Sequence, residues 1–275
     1  MSGFVIVVPL LLFILMFGDY FVVVSGRKPK FKRINLAPLS AKVSSANIEL
    51  KLLNKSSPSS TSINKLYLIA LPLPKTFNPP LGSFSRGRLQ DGDKVSLPKS
   101  YWDSICVKGV VKLEVPWVVR ITRATGPTSP NSDEDGARVT MPKGVGKVTH
   151  KSYLPNASAA TVLSSPLDFR APENYVFLPD WMFRHLGLRP GTAVECELDT
   201  GVPKGGRVKL RPVTFRNDAE CDDGAEVGTA KEFLAIENHQ AVLETELKHY
   251  STLTAGAVVS FKFGEKRFFF EVVET

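Results

Sequence analysis

The sequence predicts a mixed, mainly β protein: a closed barrel made from two copies of one strand–helix–strand unit, then a small α/β subdomain, with a hydrophobic helix in front. Three observations predict it. KVSLPKSYWDSI, Lys94 to Ile105, and YVFLPDWMFRHL, Tyr175 to Leu186, agree in pattern at an offset of 81 residues. Val95 matches Val176, Leu97 matches Leu178, Pro98 matches Pro179, Trp102 matches Phe183 and Ile105 matches Leu186. Near the end, NHQAVLETELKHY has helical apolar spacing and VVSFKFGEKRFFFEVV reads as a hairpin. At the start, Gly3–Val24 is an apolar run of 22 residues whose single charge is Asp19.

As a helix that run would extend about 33 Å, enough to cross a bilayer. MSG ahead of it carries no basic residue, and the run is long for a signal-peptide core. The basic flank Arg27, Lys28, Lys30, Lys32 and Arg33 stays cytosolic by the positive-inside rule. Residues 1–33 are therefore read as an uncleaved anchor with a basic flank, holding a cytosolic domain at a membrane. A signal peptide is one competing reading. A start absent from the mature protein is another, which would leave a soluble cytoplasmic or nuclear chain. Residues 34–63 are Ser-rich with one acid, Glu49, and read as a flexible linker.

The barrel is assigned to residues 64–216. Leu66–Pro74 is its first strand, and KVSLP is a second, alternating Val95 and Leu97 with Lys94 and Ser96. Proline then opens a short helix, because its missing N–H costs nothing in a first turn. Val115–Arg123 resumes strand character. The second copy repeats the order: YVFLP, the helix PDWMFRHL, a G-L-R-P-G turn, then TAVECEL with Ala193, Glu195 and Glu197 on one face. Arg207–Phe215 is a further strand, and the turn-rich stretch Gly126–Lys147 separates the halves. Neither copy can bury its apolar face alone, so two half-barrels closing on each other answer both the repetition and the edge problem.

An acidic linker, 217–230, carries Asp218, Glu220, Asp222, Asp223 and Glu226. The α/β subdomain, 231–275, then opens on a helix capped by Asn238 with Leu243, Leu247 and Tyr250 on one face. In its hairpin Val259, Phe261 and Phe263 face one way, and Ser260 and Lys262 the other.

The net charge of +8 invites a nucleic-acid reading, but its location argues against one. Residues 1–90 hold 12 Lys/Arg and 2 Asp/Glu, whereas residues 91–275 hold 23 and 25. A phosphate-tracking surface needs cations clustered on the folded domain. Cys106, Cys196 and Cys221 are odd in number and widely spaced, which suits free thiols. His150, His185, His239 and His249 never fall at metal-ligand spacing; His239 and His249 flank one helix without a third ligand.

Catalytic motifs fail one by one. Gly144–Lys147, GVGK, resembles the tail of a phosphate loop, but Met141 replaces the first glycine and Val148 the Ser/Thr. No GxSxG and no Rossmann fingerprint occurs. Asp103 and Asp180 read as first-turn helix acids rather than a catalytic pair. Trp181, Met182 and Phe183 read chiefly as core, with a binding rim as the alternative.

Leu178, Pro179, Trp181, Met182 and Leu186 resemble a phrase of the ubiquitin-fusion-degradation adaptor family, with Phe183 where that family has Met. Asn238, Ala241, Val242, Leu243, Glu244, Leu247, Leu253, Thr254 and Gly256 fit its pattern, as do Glu265, Lys266, Val272, Glu274 and Thr275. KVSLPKSYWDSI with VPWVVRIT looks like its first half. The resemblance runs over roughly 64–275 and is strongest in 173–275. It implies a double-psi β-barrel followed by a small α/β subdomain. It also implies a non-catalytic adaptor, without metal or cofactor, that binds ubiquitin chains. The family works with a second adaptor subunit beside the valosin-containing AAA ATPase segregase, above all in endoplasmic-reticulum-associated degradation. The ubiquitin-contacting residues are not assigned. The family's ATPase-docking tail lies beyond the final E-T, so at Thr275 either its contacts are expected to be missing or the sequence is incomplete. Two alternatives stand beside this: a membrane-tethered interaction module that kept the fold without the ATPase link, and a double-psi barrel enzyme.

Overall fold

The computed structural model describes residues 12–17, 20–25, 33–56, 65–74, 77–78, 88–106, 117–124, 138–139, 161–214 and 225–275. The chain divides into two units, Met1–Lys32 and Arg33–Thr275. In the first unit, β1 (Leu12–Phe17) pairs antiparallel with β2 (Tyr20–Ser25), Phe17 opposite Tyr20. The helix expected over Gly3–Val24 is thus corrected over these residues to two strands. Valines 22 to 24, Ile14 and the aromatics favour the pleated chain. No helix among the described residues is long and apolar enough to cross a membrane.

The second unit begins with β3 (Arg33–Ile34), which pairs in parallel with β7 (Arg138–Val139). Next comes α1, Ala37–Ser56, a 20-residue helix where a flexible linker was expected. The serine content conceals a helical stripe: Leu36, Val43 and Asn47 are buried, with Leu39 packed beside them. Asn47 does more than fill space. Its Nδ2 donates to the Tyr67 carbonyl at 2.9 Å and its Oδ1 accepts from the Tyr67 N–H at 2.8 Å. One side chain thereby satisfies both main-chain groups of a strand residue. The serines are used too: Asn174 Nδ2 donates to Ser40 Oγ and Ser44 Oγ.

Six strands close the barrel in the order β10-β4-β9-β5-β8-β6. They are β4 (Lys65–Pro72), β5 (Lys94–Pro98), β6 (Val118–Arg123), β8 (Thr161–Ala171), β9 (Tyr175–Leu178) and β10 (Thr192–Asp199). β5 runs parallel to β8 and β9 parallel to β4. β6 is antiparallel to β8, β10 to β4, and β6 and β10 to each other. Exchanging β4, β5, β6 for β8, β9, β10 leaves this pairing unchanged, so the two halves are related by an internal two-fold. Its centre is visible where β5 meets β9, at Ser96 opposite Phe177, residues separated by the same 81 positions as the repeat. Each half has strand, proline, helix: α2 is Lys99–Cys106 and α3 is Asp180–Leu186.

The apolar run of β4 follows from being covered on both faces. Leu66, Leu68 and Ala70 join the main core with Val95, Leu97, Val119, Ile121, Val162, Val176 and Val194. Ile69, Leu71 and Leu73 lie in a second cluster with Leu36 and Val43 under α1.

The second lobe centres on β14 (Lys266–Glu274), antiparallel to β13 (Val258–Phe263) on one side. On the other side lie β11 (Lys209–Val213), antiparallel, and β12 (Glu226–Val227), parallel. Residues 207–215 were expected in the barrel; β11 belongs instead to this sheet. The acidic stretch 217–224 lies outside the described residues, and the described chain resumes at Ala225 and enters β12. α4 (Ala230–Leu234) starts on a capping box in which Thr229 Oγ1 accepts from Glu232 N and Thr229 N donates to Glu232 Oε2. Phe233 places its ring 4.8 Å from Phe270 and 5.3 Å from Phe268. α5 (His239–Glu246) is capped by Asn238 Oδ1, as expected, and tightens into a 3₁₀ turn, Leu247–His249. The hairpin alternation holds at Val259 and Phe261, while Phe263 is exposed at its end and Ser260 is buried on the opposite face.

Replacing Asn47 by Ala leaves the Tyr67 N–H and carbonyl without their partner. The expected loss is about 1–3 kcal/mol of unfolding free energy in a denaturant titration. A change within error would mean that α1 is held by its apolar stripe alone.

Candidate protein-interaction surface

The short segment 88–94 joins the barrel to the second lobe, and nearly every residue in it is spent on the joint. Arg88 donates through Nη1 to Glu246 Oε2 and to the Lys262 carbonyl, at 3.4 Å for the latter. Gln90 accepts from the Asp180 N–H at 2.9 Å, at the start of α3, and donates to the Leu73 carbonyl. Asp91 pairs with Arg267 of β14, and both are buried. The Gly92 carbonyl accepts from Trp181 Nε1 at 2.8 Å. A Cβ on Gly92 would lie 2.8 Å from the His249 carbonyl oxygen, so the approach of the two lobes there requires glycine. Asp93 Oδ2 accepts from the Thr252 N–H and Oγ1, both at 2.9 Å. Lys94 donates to Ser165 and Ser251 hydroxyls.

Burial sets the electrostatics of this joint. Removing one member of a buried pair such as Asp91–Arg267 leaves an uncompensated charge, at a cost of about 3–5 kcal/mol. Asp93 is fully buried, and desolvation raises its carboxyl above the ordinary range despite Lys94 and the Thr252 bonds. The Tyr250 hydroxyl donates to the Ser260 carbonyl at 2.8 Å; burial, then Asp91, pushes its phenol up. These groups hold two lobes together; Asp93 Oδ1 has no hydrogen-bond partner and faces Lys94 Nζ at 3.8 Å.

The singled-out residues fall into place around this joint. Trp181, Met182 and Phe183 are all buried, so the core reading stands and the rim reading does not. Asp180 occupies the first turn of α3, as expected. Asp103 does not occupy the first turn of α2; it lies one turn later, exposed. Cys196 is a free, buried thiol raised by desolvation, which keeps it protonated and inert. Cys106 ends α2, while Cys221, His150 and Gly144–Lys147 lie outside the described residues. His185 is buried, its Nε2 without a hydrogen-bond partner, and desolvation lowers its pKa. His239 and His249 fall on α5 and the following turn, and among the described residues no cluster of three His, Cys, Asp or Glu is placed to hold a metal.

An aromatic cluster that reaches the surface at Trp102, and that sequence reasoning missed, lies on the first half of the barrel. Trp102 of α2 stacks on Trp117 at 4.9 Å with 29° between planes and meets Phe169 of β8 at 5.0 Å. Trp102 remains 36% exposed. The available signal was the repeat itself: Trp102 matches Phe183, and Phe183 is 0% exposed.

Comparison with known proteins places this geometry in context. Residues 228–275 match the family model described as ubiquitin fusion degradation protein UFD1, N-terminal subdomain 2. Ubiquitin fusion degradation protein 1 of Saccharomyces cerevisiae is 34% identical over 108 residues, covering 39% of this chain and 25% of the yeast protein. Its homolog in Caenorhabditis elegans is 39% identical over 88 residues, 32% of this chain and 21% of that protein. Ubiquitin recognition factor in ER-associated degradation protein 1 of Homo sapiens is 26% identical over 169 residues, 56% of this chain and 48% of its own length. The chain thus spans about a fifth to a half of the length of these relatives. These matches support the ubiquitin-fusion-degradation family for this chain.

A pH comparison tests the buried carboxylate. The native pKa of Asp93 is raised above its unfolded value, near 3.9. Its contribution to stability is therefore fully present below that value and is lost as pH rises through the native one. Asp93→Asn removes this dependence, and every other group titrates equally in both proteins. The stability of the variant relative to the parent is expected to improve as pH rises across that window and then level off. A difference that stays constant from acid to neutral pH would contradict the assignment.

Proposed function

We propose that this chain, a relative of the ubiquitin-fusion-degradation family, is a non-catalytic adaptor that binds ubiquitin chains. In this reading it brings ubiquitylated clients to a AAA ATPase segregase and its second adaptor subunit for proteasomal degradation. The observation that carries it is the family match over 228–275, which takes in α4, α5 and the β13–β14 hairpin of the second lobe. The joint supports a binding rather than a catalytic role, because Arg88 and Glu246, and Asp91 and Arg267, are committed to one another. We also take the barrel to be of the double-psi type; the exchange symmetry of its pairing favours this.

Titration of isotope-labelled ubiquitin, single and chained, with the full chain is expected to shift ubiquitin resonances. The affinity expected is micromolar to millimolar, as for small transient interfaces. No shift with ligand at millimolar concentration would remove the adaptor reading.

The names of the mouse and human relatives favour endoplasmic-reticulum-associated degradation as the setting, with the folded unit on the cytosolic side. Asn54-Lys-Ser and Asn156-Ala-Ser are sequons that report the compartment. Expressed in cells, the full chain is expected to remain unglycosylated; a band sensitive to endoglycosidase would place the folded unit in the lumen.

A further inference from the structure

The barrel has two equivalent helices, and among the described residues the second lobe covers only one of them. α3 is enclosed: Trp181, Met182, Phe183, His185 and Leu186 are buried, and Tyr250 and β13 of the second lobe lie against it. α2 has no such roof among the described residues. Lys99, Trp102 and Asp103 are exposed there, and Trp102 continues into the aromatic face with Trp117 and Phe169.

We propose that this face is an interface between two copies of the chain, related by a two-fold axis with their α2 helices antiparallel. The charge pattern selects this occupant. Lys99 and Asp103 stand one turn apart on either side of Trp102, and neither has an ion-pair partner among the described residues. Lys before Asp is the weaker order for a pair within one helix, because both charges then oppose the helix dipole. Reversing a second α2 against the first places Lys99 of one protomer opposite Asp103 of its partner, twice. The axis then passes beside Trp102 and brings the two rings together at the centre. An isologous contact needs such a self-complementary patch. A partner of one charge sign would satisfy only one of the two groups. Tryptophan at the centre with charges at the rim is also the arrangement in which few residues dominate association.

Sedimentation of the full chain over a micromolar concentration series is the test. A mass rising from 30.2 kDa towards twice that value is expected. Trp102→Ser should weaken association about tenfold or more. Lys99→Asp alone and Asp103→Lys alone should each weaken it by setting like charges face to face, and the double exchange should restore it. All three positions are exposed, and circular dichroism confirms that each variant is folded. A monomer at every concentration overturns the proposal, as does a double exchange no better than the worse single one. So does a Trp102→Ser variant that associates normally but no longer shifts ubiquitin, which would assign the face to ubiquitin. A dimer that fails to bind ubiquitin would leave this interface standing and remove only the adaptor reading.

Discussion

The segment from Arg88 to Lys94 is the constraint on which the rest of the folded unit depends. It precedes β5, so it is fixed to the barrel, yet its side chains end on Glu246, Thr252, Ser260 through Arg267, and Lys262. A loop buried between two lobes carries main-chain groups that water cannot reach, and each must find a partner. The Gly92 carbonyl finds Trp181 and the Asp93 carbonyl accepts from the Ser165 N–H at 3.3 Å. Trp181 can make that bond only because Gln90 holds the first N–H of α3 close to the segment. The burial of α3 is therefore a consequence of the joint as much as of its apolar residues.

This joint explains where the sequence was readable and where it was not. The repeated phrase, the proline-started helices, the Asn238 cap and the C-terminal hairpin are local patterns, and each was legible. α1 was not, because composition was weighed above periodicity: the spacing of Leu36, Leu39, Val43 and Asn47 is helical even though serines fill the intervals. The N-terminal run was assigned by hydropathy and length, which do not distinguish a helix from strands when valine and phenylalanine dominate. The role of 88–94 was beyond local reading. Arg-Leu-Gln-Asp-Gly-Asp looks like a solvated turn, and its burial is created by residues more than 150 positions later. The one hint was the pair of acids Asp91 and Asp93 at the edge of a basic half-chain.

The internal two-fold also shows how a duplicated barrel becomes asymmetric. Equivalent helices began with equivalent needs for cover, and the second half met its need with the α/β lobe. Trp181 is the residue that anchors this cover, and its counterpart in the first half is Ser100, whose N–H is taken by Glu173. The first half instead carries Trp102 where the second has Phe183. An aromatic side chain at the same helical position is core on one side of the molecule and surface on the other.

That asymmetry bears on the adaptor reading proposed above. Within the joint, carboxylates and cations are paired, Cys196 is sealed and protonated, and the buried Tyr101 and Tyr250 phenols are raised by desolvation. Catalysis needs a group that is reactive and reachable at once. Among the described residues the groups placed deep enough to be tuned are enclosed. The exposed feature on the uncovered helix is an aromatic face with one cation and one anion beside it. Such a face lowers its free energy by losing water to another surface, and it can do so without any change in the lobes that the segment 88–94 holds rigid.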